Sequence, residues 1–259
     1  MHSPVSTTTV ANMKISLVIS AHNEELRIGH CLESIYKALA VHPCDAEVVV
    51  VANACSDRTA EIARGFKSVR VIEEPRKGLP QARKTGFENS TGELVANLDA
   101  DILMPTEWIP FIFEAFEKDP ELVALSGPYI YYDLAMWQRA LVRIFYGVGY
   151  AIHLVAHATG TGAMLQGGNF VLLRSALEKA GGFDTSITFY GEDTDIARRM
   201  SKVGTVRWTF KLPMLTSGRR LEKEGIIKMG LRYTINFFWI TVFKRPYSEN
   251  HIDVRTGVR

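Results

Sequence analysis

Short apolar runs alternate with longer amphipathic stretches along the first hundred residues of the chain. Four runs are rich in Val, Ile and Leu, and we predict each to be a buried β-strand: 15–19, 47–51, 69–72 and 93–98. Helices are predicted between them, one opening at Asn23 and the others covering 57–64 and 78–89. One face of the first helix carries Leu26, Cys31, Ile35 and Leu39. Because strands and helices alternate with short connections, we expect a parallel sheet covered by helices on both faces.

The second half of the chain has a less regular pattern. Three further strands are predicted there, at 122–126, 169–173 and 206–210. The predicted helices are 106–118, 135–157, 175–180, 190–202 and 222–243. We find no internal repeat and no low-complexity linker, and we therefore predict a single domain over 13–246. Its nucleotide-binding half would cover about 13–104 and its acceptor half about 105–246, between loose polar tails at 1–12 and 247–259.

Composition and charge narrow the class of protein. The 259 residues suit one large α/β domain, and an apolar fraction of 47% is enough for a substantial core. The net charge of only +2 gives no nucleic-acid footprint, so we predict no nucleic-acid partner. The three cysteines, Cys31, Cys44 and Cys55, have no paired spacing. They argue against a disulfide framework and favour a reduced, cytoplasmic location.

Two apolar stretches raise the question of membrane contact. The stretch 140–158 comes closest to a transmembrane helix, but it contains Arg143 and has no flanking stop signal. Both it and the aromatic-rich stretch 226–243 have a composition that can mark an interfacial helix. Packing of the two helices on the core explains the same pattern. Peripheral association with the inner face of a membrane is therefore one of two open interpretations.

The segment Asn97-Leu-Asp-Ala-Asp101 carries the strongest chemical signal. The predicted strand ends at Leu98, and in extended backbone the carboxylates of Asp99 and Asp101 point to the same side. In open sheets of this kind, ligands bind at the carboxyl ends of the strands. Two carboxylates there make a hard oxygen site for Mg²⁺ or Mn²⁺, completed by water and phosphate oxygens. A solvated acidic turn is the alternative interpretation.

A second acidic segment, Gly191-Glu-Asp-Thr-Asp195, stands at the start of a predicted helix. The helix dipole favours the ionised forms of Glu192 and Asp193. Because an ionised carboxylate can accept the proton of an attacking hydroxyl, both residues are candidate general bases. For Asp195 we expect a capping or structural role.

Six short motifs occur in order along the chain: Ser20-Ala-His-Asn-Glu24, Asp57-Arg-Thr59, Lys77-Gly78 with Ala82-Arg83, Asp99-Ala-Asp101, Gly181-Gly-Phe-Asp184 and Gly191-Glu-Asp193. This succession resembles glycosyltransferase family 2, the inverting transferases of the GT-A fold, over about residues 14–220. The resemblance implies a GT-A-type, Rossmann-like α/β fold with an open, twisted, mostly parallel sheet. It also implies metal-dependent transfer of a sugar from a nucleotide-sugar, by expectation a uridine diphosphate-sugar, to an acceptor hydroxyl.

The resemblance assigns residues to the parts of such a site. The nucleotide would be contacted by residues that follow the first three strands: Ala21, His22, Asn23, Glu24, Asn53, Lys77, Gly78 and Arg83. The sugar and acceptor cleft would be lined by Gly167, Gly168 and Asn169. Asp99 would hold the ribose or the water shell of Mn²⁺ or Mg²⁺, and Asp101 the cation itself. Asp193 would be the general base, with Glu192 as the second choice.

Two regions depart from the family pattern. After the second strand the chain has Ala52-Asn-Ala54, where the family often has Asp-Asp or Asp-Gly, so the base preference stays open. After the last core strand it reads Leu215-Thr-Ser-Gly-Arg-Arg220, where many relatives carry a metal-binding histidine. Arg219 and Arg220 would either neutralise the diphosphate or lie on the surface.

Other classes of protein remain as alternatives. A sugar-phosphate nucleotidyltransferase should show a glycine-rich phosphate loop near its first strand, and Ser20-Ala-His-Asn23 contains no glycine. A non-catalytic nucleotide-sugar-binding protein would have no need to retain both acidic segments. A lipid-linked acceptor is one possibility, with a role in polysaccharide, glycolipid or cell-envelope synthesis.

Overall fold

The computed structural model of the protein describes residues 13–158, 163–187 and 191–243. The strands in these residues are β1 (Ile15–Ala21), β2 (Ala46–Asn53), β3 (Val69–Glu74), β4 (Leu94–Asp99), β5 (Ile102–Leu103), β6 (Leu122–Ser126), β7 (Tyr129–Tyr131), β8 (Asn169–Leu173), β9 (Thr205–Trp208) and β10 (Met214–Thr216). The helices are α1 (Ile28–Val41), α2 (Thr59–Arg64), α3 (Leu79–Glu88), α4 (Trp108–Lys118), α5 (Met136–Ala158), α6 (Arg174–Lys179), α7 (Glu192–Met200), α8 (Arg219–Glu224) and α9 (Ile226–Phe243). The predicted tails, 1–12 and 247–259, lie outside the described residues.

Seven strands form one open sheet in the order β3-β2-β1-β4-β8-β6-β9. Parallel pairing joins β1 to β2 and β4, and β2 to β3. β8 runs antiparallel between β4 and β6, while β6 and β9 are again parallel. The prediction of an open, mostly parallel α/β sheet is confirmed.

Helices cover both faces of the sheet because β1 and its neighbours are apolar on both sides. On one face, Ile15, Leu17 and Ile19 belong to the main core together with the buried side of α1. On the other face, Val18 clusters with the buried Ala82 of α3. α3 approaches the sheet closely at Gly86, where an added Cβ would lie only 2.2 Å from a methyl group of Val18.

A second, three-stranded sheet in the order β5-β10-β7 was not predicted. β10 pairs antiparallel with β5 and parallel with β7. These strands have only two or three residues each, too few for a period of two to appear in the sequence. The small sheet matters for the site because it brings residues 101–103, 129–131 and 214–216 together.

The prediction that a helix opens at Asn23 is wrong. α1 begins at Ile28, because Asn23 has a left-handed φ of 52° and the backbone N–H of Glu24 donates to the hydroxyl of Thr59 at 2.7 Å. These contacts hold the segment against the loop after β2. Leu26 is accordingly 63% exposed, although a helix from Asn23 would have placed it on the buried face.

The single helix predicted over 222–243 is observed as two helices. α8 ends before Gly225, which has a φ of 87°, and α9 begins at Ile226. Glycine adopts this left-handed conformation without the cost that a Cβ imposes. The break allows α8 to present Arg219 to the end of the sheet, while α9 packs against α5 and α7.

Candidate active site

The carboxyl ends of β1, β2 and β4 open into a cleft of about 770 Å³. Other parts of its wall come from the loops before α3, α7 and β8 and from α5 and α9. Most of the predicted site residues line it: Ala21, His22, Glu24, Asn53, Lys77, Gly78, Arg83, Asp99, Asp101, Gly167, Glu192, Asp193, Arg219 and Arg220. The fold therefore gathers residues from widely separated parts of the sequence into one cavity, as a ligand site at the strand ends requires.

Asn53 organises the predicted nucleotide side of the cleft. Its amide nitrogen donates to the carbonyl oxygens of Glu74 at 3.1 Å and Arg76 at 2.7 Å, and its amide oxygen accepts from the backbone of Gly78 at 2.8 Å. A ring nitrogen of His22 lies 2.6 Å from the carbonyl oxygen of Asn53. These bonds hold the loop before α3 against the end of β2 and so define the rim beside Lys77.

Three predicted contact residues are not among the lining residues of the cleft. The side-chain oxygen of Asn23 accepts a hydrogen bond from the backbone of Ser56 at 2.8 Å, outside the wall. Asn169 is fully buried, where its oxygen accepts from the indole of Trp108 at 2.9 Å and its nitrogen donates to backbone carbonyls. Gly168 lies behind Asp99. The side chains or backbone of these three residues thus lie behind the lining of the cleft, where we had predicted contact with the nucleotide, sugar or acceptor.

Asp99 and Asp101 border the cleft at the end of β4, and each is held by the small sheet. The hydroxyl of Tyr129 donates to Asp99 Oδ2 at 2.9 Å. Asp101 accepts from the hydroxyl of Thr216 at 3.4 Å and from the guanidinium of Arg219 at 3.0 Å. The same guanidinium also pairs with the buried Glu24. The two carboxylates are thus oriented by neutral and cationic donors.

The carboxylates of Asp99 and Asp101 suit a divalent cation whose other ligands come from water and a bound molecule. Carboxylate oxygens suit Mg²⁺ and Mn²⁺. No group of three or more His, Cys, Asp or Glu side chains within the described residues is placed to hold a metal ion. The remaining coordination positions would therefore have to come from water and from phosphate oxygens of a bound nucleotide.

Arg83 and Glu192 form a buried ion pair in the wall of the cleft. Only 1% of Arg83 is exposed, and its guanidinium lies over the ring of Phe170, 4.9 Å from the ring centre, and 4.0 Å from Asp99. Burial raises the pKa of Glu192 to about 7, even though Arg83 favours the ionised carboxylate. Arg83 is therefore a buried part of the cleft wall rather than a solvated surface charge.

Asp193 is oriented by backbone amides on both sides. Its Oδ2 accepts from the N–H of Gly167 at 3.2 Å, and its Oδ1 from the N–H of Thr194 at 2.8 Å. Burial raises the pKa of Asp193 above the usual aspartate value, against the opposing effect of Arg83 and of these amides. The side chain therefore combines a fixed direction with a carboxylate that is a stronger base than usual.

Asp195, two residues further along α7, has the structural role expected from the sequence. It lies away from the cleft lining and binds Arg198 at 2.8 Å and Arg199 at 2.7 Å. Arg199 also donates to backbone carbonyls of Ala180 and Gly182. Of the three carboxylates in this motif, those of Glu192 and Asp193 face the cleft. The carboxylate of Asp195 binds Arg199, which ties α7 to the loop that precedes it.

The sequence analysis missed a group of residues that connects the cleft to α5. The side chain of Tyr129 donates to Asp99, and its backbone N–H donates to the hydroxyl of Tyr146 at 3.1 Å. The Tyr146 hydroxyl in turn donates to the side chain of Gln166 at 2.8 Å, next to Gly167. The alternation in Tyr129-Ile-Tyr131 after Gly127-Pro128 was the available signal, and it is only three residues long.

The outer part of the cleft is apolar. Ile144, Phe145 and Val148 of α5 and Ile227 and Leu231 of α9 line it. Among the described residues, neither these two helices nor any other is apolar enough over a sufficient length to cross a membrane.

Comparison with known proteins assigns the chain to a family. The profile of Glycosyl transferase family 2 matches residues 16–181. The chain is 28% identical over 205 residues to the probable glycosyltransferase YdaM of Bacillus subtilis (strain 168), covering 74% of this chain and 47% of that protein. It is 33% identical over 122 residues to a dolichol-phosphate mannosyltransferase of Pyrococcus furiosus, covering 46% and 34%. The matches thus span about a third to a half of the length of these relatives.

Solved structures of glycosyltransferases share the fold. The mannosyltransferase PcManGT from Pyrobaculum calidifontis, in complex with GDP-Man and Mn²⁺, has a TM-score of 0.68 at 20% identity, covering 90% of this chain and 64% of that one. Glucosyl-3-phosphoglycerate synthase from Mycobacterium tuberculosis, in complex with Mn²⁺, uridine diphosphate and phosphoglyceric acid, has a TM-score of 0.62 at 19% identity, covering 93% and 84%. At these identities the likeness shows the GT-A fold. Because the family profile matches most of the chain, the chain belongs to glycosyl transferase family 2.

Proposed function

We propose that this enzyme transfers a sugar from a uridine diphosphate-sugar to an acceptor hydroxyl, inverting the anomeric carbon, with Mn²⁺ or Mg²⁺ held at Asp99 and Asp101. The observation that carries the proposal is that these two carboxylates and Asp193 border one cleft. The cavity of about 770 Å³ is of a size that holds a nucleotide-sized ligand. Because the chain belongs to a glycosyltransferase family, this function is favoured over a sugar-phosphate nucleotidyltransferase and over a non-catalytic nucleotide-sugar-binding protein.

The nucleotide would lie along the rim formed by Ala21, His22, Asn53 and Lys77. The order of the strand ends supports this position, because the ends of β1 and β2 are adjacent in the sheet. One structural neighbour is a complex with uridine diphosphate and another with GDP-Man. The choice of uridine therefore rests on the resemblance of the motifs. It does not rest on Asn53, because the amide nitrogen of this residue already donates to two backbone carbonyl oxygens.

Asp101, with Asp99, would hold the cation against the donor's diphosphate. Both structural neighbours are complexes with Mn²⁺, which supports the assignment. When bound, the cation would neutralise negative charge on the departing nucleotide. Arg219 and Arg220 line the same region, and their guanidinium groups match phosphate oxygens in shape and charge.

Asp193 would accept the proton of the acceptor hydroxyl. In an inverting transfer the acceptor oxygen attacks the anomeric carbon from the side opposite the leaving diphosphate, and its proton passes to a base in the same step. Asp193 suits this role because two backbone amides fix its carboxylate. Glu192, which faces Arg83, would bind the acceptor and is the second candidate for the base.

The acceptor carries a hydroxyl group, and we propose that it also has a lipid portion. The relative from Pyrococcus furiosus is named as a dolichol-phosphate mannosyltransferase. The apolar outer part of the cleft, formed by Ile144, Val148 and Ile227, supports an acceptor with an apolar portion. Polysaccharide, glycolipid or cell-envelope synthesis is the expected context.

A thermal-shift screen of nucleotide-sugars with Mn²⁺ tests the proposal, because a ligand that binds the native state raises the melting temperature. A uridine diphosphate-sugar should stabilise the wild type in the presence of Mn²⁺, and Asp101→Ala should lose the metal-dependent part. Asp119→Ala, which removes a surface partner of Arg207, is the matched control and should respond like the wild type. Guanosine or thymidine donors that clearly exceed uridine would overturn the donor assignment. An unchanged response of Asp101→Ala would overturn the metal site.

A further inference from the structure

Two helices expose several large apolar side chains. On α5, Met136 is 85% exposed and Trp137 68% exposed, and Ile144, Val148 and Leu154 are exposed as well. At 100° per residue these five positions fall within about a third of the helix circumference. On α9, Ile227, Leu231 and Ile235 recur at intervals of four and are also exposed. We call these eight side chains the α5–α9 face.

The two helices pack against each other, and some of their exposed residues line the active-site cleft. α5 and α9 pack against each other through Val142 and Met229, which are buried in a common cluster. Ile144 and Val148 from one helix and Ile227 and Leu231 from the other are exposed and at the same time line the cleft. Half of the α5–α9 face therefore also lines the outer part of the cleft.

The charge on these helices has one sign. Neither α5 nor α9 contains an Asp or Glu. The Arg139 guanidinium donates to backbone carbonyls and Arg232 pairs with Glu224, whereas Arg143 and Lys228 are exposed beside the apolar side chains. Exposed apolar residues flanked by cations and free of acidic residues are the pattern of a helix that lies in the interface of a membrane.

We propose that the α5–α9 face is a docking surface for an anionic phospholipid membrane, on which both helices lie flat. Anionic head groups attract Arg and Lys near the surface by about 1 kcal/mol each. The apolar side chains of the face would enter the boundary between head groups and acyl chains.

A second copy of this chain fits the face less well than a lipid surface does. In a two-fold symmetric contact the same patch meets itself. Such a contact would bring the exposed cations Arg143 and Lys228 of both copies together, with no acidic residue on α5 or α9 to offset them. An anionic bilayer supplies the opposite charge.

Docking by this face would place the cleft mouth against the lipid. An amphiphilic acceptor could then keep its apolar part in the membrane while its hydroxyl reaches Asp193. This consequence rests on the proposed function, whereas membrane binding itself does not.

Flotation of the full chain with vesicles tests the proposal. Vesicles of phosphatidylcholine alone are compared with vesicles that also contain phosphatidylglycerol. Met136→Asp/Leu154→Asp changes two exposed residues of the face that do not line the cleft. Leu26→Asp/Val41→Asp is the matched control, since it changes two exposed apolar residues outside the face. Circular dichroism confirms that each protein is folded, and hydrolysis of the donor in vesicle-free buffer measures the catalytic centre separately.

We expect the wild type and the control to float with the anionic vesicles, more weakly as salt is raised. Met136→Asp/Leu154→Asp should lose about a hundredfold or more in partitioning to the vesicles, since two apolar side chains that would enter the lipid are replaced by anions. Its donor hydrolysis should equal that of the wild type. Equal partitioning of the two double variants would overturn the proposal. So would a folded wild type that stays unbound, or a dimer in solution that Met136→Asp/Leu154→Asp dissociates. Vesicle binding without donor hydrolysis by the wild type would contradict the proposed function and leave the docking surface intact.

Discussion

Arg219 and Asp101 are joined by a hydrogen bond of 3.0 Å between the guanidinium Nη2 and the carboxylate Oδ2. The same guanidinium pairs with the buried Glu24, so that one cation serves two carboxylates at the end of the cleft. Arg219 therefore offsets the negative charge of the residue that we propose as the metal ligand. A divalent cation that binds Asp101 has to compete with this guanidinium.

Removal of Arg219 should accordingly strengthen the binding of free Mn²⁺. For Arg219→Gln we expect the affinity of the nucleotide-free protein for Mn²⁺ to rise by about tenfold, because loss of one partly buried ion pair is worth about 1–2 kcal/mol. Electron paramagnetic resonance of free Mn²⁺ during a titration measures this. Arg64→Gln, which removes an exposed partner of Glu73, should leave the affinity unchanged. An affinity that falls in Arg219→Gln would show that the guanidinium does not compete with the cation.

Glu192 should make the stability of the ligand-free protein depend on pH. Its pKa is raised from 4.5 to about 7, so the native state keeps a proton that the unfolded chain releases at lower pH. The free energy of unfolding therefore receives its full contribution from this group below about pH 4.5 and loses it as pH rises through about 7. Glu192→Gln is neutral throughout and should lack this loss.

Urea denaturation of both proteins at about pH 5 and about pH 8 measures the effect. Glu192→Gln changes the absolute stability as well, because Arg83 loses its charged partner. The informative quantity is therefore the difference between the two pH values in each protein. Equal differences would mean that Glu192 titrates alike in the folded and unfolded chain.

The central sheet could be predicted from the sequence because of how it is buried. β1, β2 and β4 are covered on both faces, and they appear in the sequence as continuous apolar runs between turn residues. β5, β7 and β10 have two or three residues each, and their pairing depends on contacts between distant segments. No local pattern records such contacts, so the small sheet and the bonds it makes to Asp99 and Asp101 were missed.

Gly168 is expected to control the position of Asp99. It has a φ of 78°, and an added Cβ would lie 2.2 Å from both the Asp99 carboxylate and the Tyr129 hydroxyl. Gly181 has a φ of 86° with nothing within 4 Å of the added atom, so Gly181→Ala is the matched control. Both alanine variants should lose about 1–2 kcal/mol of unfolding free energy through the left-handed backbone. Only Gly168→Ala should also lose about a hundredfold in turnover, because a displacement of about 1 Å at a reacting group has an effect of that size.

Measured turnover and denaturation curves separate these two effects. If Gly168→Ala is destabilised like Gly181→Ala and keeps normal turnover, Asp99 either tolerates the displacement or is not needed.

The candidate site could be predicted only in part. A linear motif does not show whether a residue contacts the ligand or supports a residue that does. Asp99, Asp101 and Asp193 were predicted and line the cleft. Asn169 follows Gly167-Gly168 in the same motif, but its side chain is consumed by Trp108 and by backbone carbonyls. Which way a side chain points depends on the strand register, and β8 turns Asn169 into the core.

Asp193→Asn should lower turnover by about 10²–10⁴-fold, the usual cost of losing a general base. The amide keeps the size of the carboxylate but cannot accept the proton, so the affinity for the donor should stay near that of the wild type. Asp195→Asn makes the same substitution two residues away, where the carboxylate binds Arg198 and Arg199. It should lower the melting temperature without changing turnover at a temperature where it is folded. Normal turnover in Asp193→Asn would move the base to Glu192 or elsewhere.

The most direct test of the account is the anomeric configuration of the sugar that the enzyme releases. Proton NMR can follow the wild type with Mn²⁺ and the α-linked nucleotide-sugar that gives the largest thermal shift, with water or an alcohol as the acceptor. The first product, observed before mutarotation, should be the β-anomer, because a single displacement assisted by Asp193 inverts the reacting carbon. An α-anomer as the first product would contradict the proposed mechanism.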